Sequence, residues 1–332
     1  MLTSKDISGV YIMAPTPCVE GGEHWSNTNS VDLDETARMT ENLIRDGIGG
    51  LALCGTTGEC AALLWDEKRA FVDTVVQTAR HRVPVMAGAT SLGTKETIRQ
   101  INAFRDIGAE GAFVGLPLWQ TPTLENSIRW FEDLSQACPE MAIMVYSNSR
   151  FFKSMFPKEF WFGVADRAPT VVTCKITSPA IVEHLEEIID RTGDRIAYQP
   201  ANEGGFYAAW KRVGDKLNGF WSTSAGMGPE PSVALYEAFK AHDTKRMEEI
   251  VADIAKVTHF MPPNKPGDDA DHFAEFNVQA EKARFNAAGY IKAGPSRAPY
   301  RIEDMSPDWA AAAEANGKTW AEMRKKYIKA KV

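Results

Sequence analysis

Short runs of β-branched and other apolar residues recur along the chain, and a longer segment with helical spacing of apolar residues follows each run. Strand, helix and strand in repetition, with few hairpin signals, predict parallel pairing, because each crossover needs a helix to return the chain to the same sheet edge. Eight such units match a closed (β/α)8 barrel. The runs occupy residues 10–15, 50–55, 84–89, 112–116, 141–146, 171–177, 196–199 and 219–224.

An open, doubly wound sheet is the alternative fold. It would normally carry a glycine-rich phosphate loop after an early strand, and neither GxGxxG nor GxxxxGK followed by Ser or Thr occurs in the sequence. The junctions also fit a barrel, since Asp32 and Thr94 are typical of helix starts and glycines close the helical segments at 43–50 and 104–111. We therefore predict an α/β protein with a (β/α)8 TIM barrel.

The pattern becomes wholly helical after the eighth run. A loop at 262–271 (PPNKPGDDAD) interrupts it with Pro and Gly. We predict a barrel at residues 1–228, followed at 229–332 by the last barrel helix and a helical C-terminal extension that packs on the barrel.

Composition limits the classes of partner. The 332 residues are 24% charged and 44% hydrophobic, enough for one sizeable core, and a net charge of −7 disfavours nucleic acid and anionic membranes as partners. The N-terminal residues lack a secretory signal, and no apolar run approaches the ~18 residues of a membrane helix, so we expect a soluble, cytoplasmic protein. The five cysteines form no CxxC pair or metal-ligand spacing, which predicts reduced thiols and no metal site.

Lys175 interrupts the otherwise apolar strand VVTCKIT. Alternate residues of a strand share a face, so Lys175 lies with Thr173 and Thr177 on the side that points into the barrel. Burial disfavours the ammonium form, and lowering its pKa from ~10.4 to ~7 corresponds to roughly 4 to 5 kcal/mol. The neutral amine would be a nucleophile. The alternative is a lysine at a strand end that reaches solvent.

Two further features lie where adjacent strands of a barrel open onto the same mouth. Tyr146 ends the fifth strand, and its phenol could shuttle protons; the alternative is a core tyrosine whose hydroxyl is hydrogen-bonded. The segment 55–59 (GTTGE) follows the second strand, and its backbone amides and hydroxyls suit a carboxylate. An ordinary turn between strand and helix is the alternative.

In this order, these motifs resemble the dihydrodipicolinate synthase and N-acetylneuraminate lyase superfamily. The resemblance covers nearly the whole chain and includes PTP at 15–17, VDLDET before the first helix, RVPVMAG at strand three, and Gly294, Pro295, Arg297 and Pro299 near the end.

The resemblance implies a class I mechanism without metal or cofactor, in which Lys175 forms a Schiff base with a small 2-oxo acid. It assigns proton transfer to Tyr146 and the pyruvate carboxylate to Thr56 and Thr57, with Gly58 in the same substrate-binding loop. Thr56 would also contact Tyr146. Glu59 is expected to hold loop amides rather than to act as a base, and the resemblance implies a homotetramer.

The sequence departs from the synthases at three places. Trp119 follows strand four, where synthases carry tyrosines that complete a proton relay, and the segment from Tyr146 to Arg150 (YSNSR) lacks the usual proline. Trp221 stands on strand eight, where relatives tend to have an aliphatic residue. Two tryptophans near one mouth predict an aromatic wall for the substrate; core packing of each is the alternative.

The chain also resembles the hydratase-aldolases that cleave benzylidenepyruvates in polycyclic aromatic degradation. This resemblance rests on both tryptophans, the FPKEFW segment at 156–161 and the stretch at 276–300. The favoured reaction is trans-o-carboxybenzylidenepyruvate plus water to 2-carboxybenzaldehyde and pyruvate, because Arg150 could clamp the ring carboxylate. Asn277 matches an Asn of the family's helical cap and could hydrogen-bond substrate or water; a helix-surface Asn is the alternative.

Three other functions stay open. They are cleavage of the o-hydroxy substrate, a synthase or sialic-acid-type lyase reaction on aliphatic substrates, and a non-catalytic paralogue that binds a 2-oxo acid.

Overall fold

A computed structural model describes residues 1–177, 179–262 and 272–328 of the chain. Eight strands form one sheet in the order β7-β6-β5-β4-β3-β2-β1-β8, which confirms the predicted (β/α)8 TIM barrel. The strands are β1 (Gly9–Met13), β2 (Gly50–Ala52), β3 (Val85–Gly88), β4 (Gly111–Val114), β5 (Ala142–Ser147), β6 (Val171–Ile176), β7 (Ala197–Gln199) and β8 (Gly219–Ser222).

Helices separate the strands. They are α1 (Leu33–Arg45), α2 (Trp65–Ala79), α3 (Thr94–Ile107), α4 (Leu124–Ala137), α5 (Ser149–Phe152), α6 (Lys158–Arg167), α7 (Pro179–Glu183), α8 (Leu185–Thr192), α9 (Asn202–Val213), α10 (Glu230–Lys240), α11 (Thr244–Ile254), α12 (His272–Ala288) and α13 (Pro307–Arg324). Among the described helices, none combines the length and the apolar composition needed to cross a lipid bilayer.

The pairings from β2 to β7 are parallel, and every residue of these strands is buried. Strands buried on both faces read as continuous apolar runs, which is the pattern that identified them in the sequence. The register places Tyr146 of β5 beside Lys175 of β6, and Lys175 beside Gln199 of β7. Paired residues of neighbouring strands direct their side chains to the same face of the sheet.

Local capping confirms the predicted junctions. The Asp32 carboxylate accepts a hydrogen bond from the Glu35 amide at 2.9 Å and caps α1. Helix α3 begins at Thr94 as predicted, although Gly93 is the residue in the cap position. It ends at Ile107, and the C-cap residue Gly108 has a φ of 98°, in the left-handed region that glycine adopts without strain.

The chain forms two compact units. The first unit comprises Met1–Tyr11, Gly49–Leu53 and Arg80–Trp221, and the second comprises Ile12–Ile48, Cys54–Ala79 and Ser222–Val332. The first therefore contains β2 to β7, and the second contains α1, α2 and the helices from α10 onward. The boundary predicted between residues 228 and 229 differs from this division, because it separates the barrel strands from the C-terminal helices. That boundary stays a prediction.

The predicted helical C-terminal extension is confirmed, with α11 to α13 following α10, the last helix of the barrel. Helices α12 and α13 approach closely at Gly317, where an added Cβ would lie 2.3 Å from the Arg284 carbonyl oxygen. A small core of Ala280, Met305, Trp309 and Ala313 fills the same part of the extension. Of the predicted loop at 262–271, only Pro262 lies within the described residues.

Candidate active site

Lys175 lies on β6 in the first unit and is only 6% exposed. Its Nζ is 4.4 Å from the ring centroid of Tyr146 and 3.8 Å from that of Trp221. This burial excludes the alternative in which Lys175 reaches solvent. The aromatic faces attract a positive charge at Nζ, whereas loss of water disfavours it, so the pocket suits a cation spread over a larger group.

Two aromatic side chains pack against the Tyr146 ring and fix it. Phe113 stacks on it with ring centroids 4.6 Å apart, and Phe152 meets it edge-on at 5.0 Å. Gly115 leaves the space that Phe152 fills, since a Cβ there would lie 1.9 Å from the Phe152 ring. The Tyr146 hydroxyl accepts a hydrogen bond from Asn148 Nδ2 at 3.4 Å. The phenol is thus held in one orientation beside the amine.

Trp221 on β8 is 8% exposed, and its indole N–H donates a hydrogen bond to the Ile176 carbonyl oxygen on β6 at 2.8 Å. The indole therefore extends from β8 to β6 and covers Lys175 with its face. Core packing alone was the alternative for this residue. In the structure, a hydrogen bond also orients the Trp221 indole so that its face contacts Lys175 Nζ.

The other two predicted residues of the first unit lie at the surface. Trp119 follows β4 and is 83% exposed, with its carbonyl oxygen accepting a bond from Lys153 Nζ at 3.4 Å. Arg150 is exposed on α5, and its backbone N–H donates to Asn148 Oδ1 at 3.1 Å. The structure therefore brings together Lys175, Tyr146 and Trp221. An aromatic wall that includes Trp119 stays a prediction.

Residues 55–59 form a compact turn in the second unit. The Glu59 amide donates to the Thr56 carbonyl oxygen at 2.9 Å, and the Cys60 amide donates to that of Gly55 at 3.1 Å. Gly58 is required by its surroundings, since an added Cβ would lie 2.8 Å from the Cys54 nitrogen. Thr57 and Gly58 are buried and Thr56 is half-buried. Binding of a carboxylate by this turn stays a prediction.

Glu59 anchors this turn through a buried ion-pair cluster in the same unit. Its carboxylate lies 2.6 Å from Lys282 Nζ and contacts the Arg297 guanidinium, and it accepts a hydrogen bond from the Arg297 amide at 2.6 Å. Burial lowers the pKa of Lys282, and the charge of Glu59 opposes that shift. With φ at +54°, Glu59 holds a conformation that is unusual for a side-chain-bearing residue. The cluster supports a structural role for Glu59.

Replacement of Glu59 by Gln should lower the free energy of unfolding by about 3 kcal/mol or more, because it leaves two buried cations without their counter-charge. Urea unfolding followed by tryptophan fluorescence measures this loss. Glu322 pairs with Lys325 on the surface, so Glu322→Gln is the matched control and should leave stability unchanged. Equal midpoints for both variants would show that the cluster contributes nothing to stability.

Asn277 lies on α12 in the second unit and is 7% exposed, which excludes the helix-surface alternative. Its Oδ1 has no hydrogen-bond partner within the part of the chain that the structure describes. Buried polar atoms are normally bonded, so an acceptor without a partner is open to a ligand or water. Its predicted contact with substrate or water stays a prediction.

Sequence reasoning missed Gln199. This residue is the β7 neighbour of Lys175 and is 1% exposed, and neither atom of its amide has a partner among the described residues. A polar residue on the inward-facing side of an apolar strand is the same signal that identified Lys175. The aromatic support of Tyr146 by Phe113 and Phe152 was also missed, because it joins residues of three separate elements.

The sequence of this chain is similar to those of known proteins along nearly its whole length. Residues 24–265 match the family described as "Dihydrodipicolinate synthetase family". A trans-O-hydroxybenzylidenepyruvate hydratase-aldolase of Pseudomonas putida is 38% identical over 333 residues, covering 99% of this chain and 97% of that protein. A trans-2'-carboxybenzalpyruvate hydratase-aldolase of a Nocardioides species is 33% identical, covering 98% of this chain and 97% of that protein.

A solved structure described as "PhdJ bound to substrate intermediate" is also similar. It shares 30% sequence identity with this chain and superposes with a TM-score of 0.92, covering 98% of this chain and 99% of that one.

Proposed function

Because this chain belongs to the dihydrodipicolinate synthetase family and is a class I, pyruvate-dependent hydratase-aldolase, we propose that its substrate is trans-o-hydroxybenzylidenepyruvate. Water and this substrate would give 2-hydroxybenzaldehyde and pyruvate. The observation that carries the proposal is the buried amine of Lys175 between the rings of Tyr146 and Trp221. A buried amine among aromatic rings suits condensation with a 2-oxo acid that carries an aromatic ring.

We propose the hydroxylated substrate here, whereas the sequence analysis favoured the carboxylated one. The relatives that act on the hydroxylated compound are more similar to this chain than the relative that acts on the carboxylated one. Arg150, on which the carboxylate preference rested, is exposed. An exposed ion pair contributes little binding energy, which weakens the argument for a clamp.

In the proposed mechanism, the lone pair of Lys175 attacks the ketone carbon of the substrate. Loss of water then gives an iminium ion, which withdraws electrons through the conjugated alkene. The face of Trp221, 3.8 Å from Nζ, stabilises this positive charge where it develops. Lys175 thereby supplies the electron sink for both the hydration and the cleavage step.

Water adds next at the benzylic carbon. Removal of a proton from the new hydroxyl breaks the neighbouring carbon–carbon bond, which releases the aldehyde and leaves an enamine on Lys175. Protonation and hydrolysis release pyruvate. Tyr146 is the proposed acid–base group, because its ring lies against Nζ and its hydroxyl is oriented by Asn148.

The residues of the second unit keep the roles that the family resemblance implies. Thr56, Thr57 and Gly58 would bind the pyruvate carboxylate, and Asn277 would contact substrate or water. A homotetramer and a cytoplasmic location likewise stay part of the proposal.

Parallel assays of the o-hydroxy and o-carboxy substrates test the assignment. We expect kcat/KM to be at least about 10-fold higher for the hydroxylated compound, with one pyruvate released for each aldehyde. Coupled detection of pyruvate and absorbance of the conjugated substrate give both rates. Turnover of neither compound, together with turnover of an aliphatic 2-oxo acid, would support the synthase-type or lyase-type alternative instead. Binding of pyruvate without any turnover would indicate the non-catalytic paralogue.

The carboxylated substrate remains the second candidate because a relative that acts on it matches the chain over its whole length. In this assay Arg150→Ala should change kcat/KM for both compounds by less than about fivefold, since an exposed ion pair is weak. A loss confined to the carboxylated compound would restore the clamp proposed for Arg150.

A further inference from the structure

The amide of Gln199 is buried in the first unit without a hydrogen bond. The side chain is 1% exposed, and both Nε2 and Oε1 lack a partner in the described residues. Buried amides nearly always have hydrogen-bond partners, because an unsatisfied donor or acceptor destabilises the folded state. An amide with two unsatisfied atoms therefore indicates a hydrogen-bond partner that is present only when substrate is bound.

The register of the sheet places this amide beside the predicted nucleophile. Gln199 on β7 and Lys175 on β6 are paired residues, so both side chains lie on the same face. Two residues further on, Ala201 pairs with Trp221 on the same face of the sheet. The Trp221 indole bonds to the Ile176 carbonyl on β6, so it crosses the face of β7. Gln199 thus lies next to Lys175, on the face of the sheet that also carries Trp221.

We propose that the Gln199 amide binds the oxygen that the substrate loses when it condenses with Lys175. This inference rests on the proposed Schiff-base function and adds a residue to it. In the carbinolamine, Nε2–H would donate to the hydroxyl on the former ketone carbon, and Oε1 would accept from the N–H of Lys175. Both unsatisfied atoms of the amide are then used.

Gln199 neither gains nor loses a proton during these steps. The lone pair of Lys175 forms the carbon–nitrogen bond, the ketone π electrons move to oxygen, and the proton released by nitrogen passes to that oxygen. The carbon–oxygen bond then breaks, the hydroxyl takes a second proton from Tyr146 and departs as water, and the nitrogen lone pair forms the iminium. Gln199 donates to the same oxygen before and after this bond breaks.

A neutral amide suits this position better than a charged group. A carboxylate beside Lys175 would stabilise the ammonium form and suppress attack on the ketone. An amide offers a donor and an acceptor and leaves the charge of the amine unchanged.

Replacement of Gln199 by Met tests the proposal, because Met keeps the volume and removes both polar atoms. With pyruvate and borohydride in rapid-quench experiments, we expect the rate of Lys175 adduct formation to fall about 10- to 100-fold. The melting temperature should stay the same or rise by about 1–3 °C, because the unsatisfied amide is gone. Gln199→Leu should behave in the same way.

Gln100 provides the matched control, since it is also buried but its amide donates to Glu96 at 2.8 Å. Gln100→Met should leave the adduct rate unchanged and should not raise the melting temperature. The proposal is overturned if Gln199→Met and Gln199→Leu form the adduct at the wild-type rate. It is also overturned if both melt at lower temperatures, which would mean that Gln199 stabilises the fold. A wild-type enzyme that forms no adduct removes the Schiff-base function as well, so the two failures are distinguishable.

Discussion

Lys175→Met should form no reduced pyruvate adduct and should lower kcat/KM by at least about 10⁴-fold, because it removes the amine that forms the imine. Met matches the length of the lysine side chain and removes a buried amine, so the fold should persist. Intact mass after borohydride treatment in the presence of pyruvate measures the adduct. Substrate turnover on the same samples measures the rate loss.

Two further variants separate the charge of Lys175 from its nucleophilicity. Lys175→Arg keeps a cation against the aromatic rings, but a guanidinium does not lose its proton at neutral pH and cannot attack the ketone, so this variant should be as inactive as Lys175→Met. Lys240 is an exposed residue at the end of α10, and Lys240→Met should retain both adduct and turnover. An adduct or more than about 1% activity in Lys175→Met would remove the Schiff-base mechanism.

The barrel could be predicted because its signals are local. Each strand is a short apolar run buried on both faces, and each is separated from the next by a helix, so all eight were placed from pattern alone. The face on which Lys175 lies follows from the two-residue period of one strand, and the same period also places Gln199. Gln199 was missed because its lack of a partner depends on contacts that no local pattern encodes.

The environment of several candidate residues depends on contacts far apart in sequence. Glu59 is held by Arg297, 238 positions further along the chain, and no spacing rule connects the two. The burial of Asn277 follows from the packing of the C-terminal helices, whereas the exposure of Trp119 and Arg150 follows from the paths of the segments after β4 and β5. Residue type predicted the chemistry that each could perform, and tertiary packing decided which of them lie beside Lys175.

Tyr146→Phe should lower kcat by about 10²- to 10⁴-fold with little change in stability. The ring contacts with Phe113, Phe152 and Lys175 Nζ do not involve the hydroxyl, so they should persist in the variant. The hydroxyl accepts a long hydrogen bond from Asn148 Nδ2, at 3.4 Å. Its removal therefore takes away the proton shuttle and leaves the aromatic packing in place.

Tyr198→Phe is the matched control for loss of a buried phenol hydroxyl. Tyr198 lies on β7 beside Cys174, on the opposite face from Lys175, and its hydroxyl bonds to Thr192 Oγ1 at 3.1 Å. We expect Tyr198→Phe to lose about 1 kcal/mol of stability and to keep full activity, the reverse of the result for Tyr146→Phe. If Tyr146→Phe keeps more than about a tenth of the wild-type kcat, another group transfers the proton. The contacts of Phe113 and Phe152 with the Tyr146 ring would then contribute to packing alone.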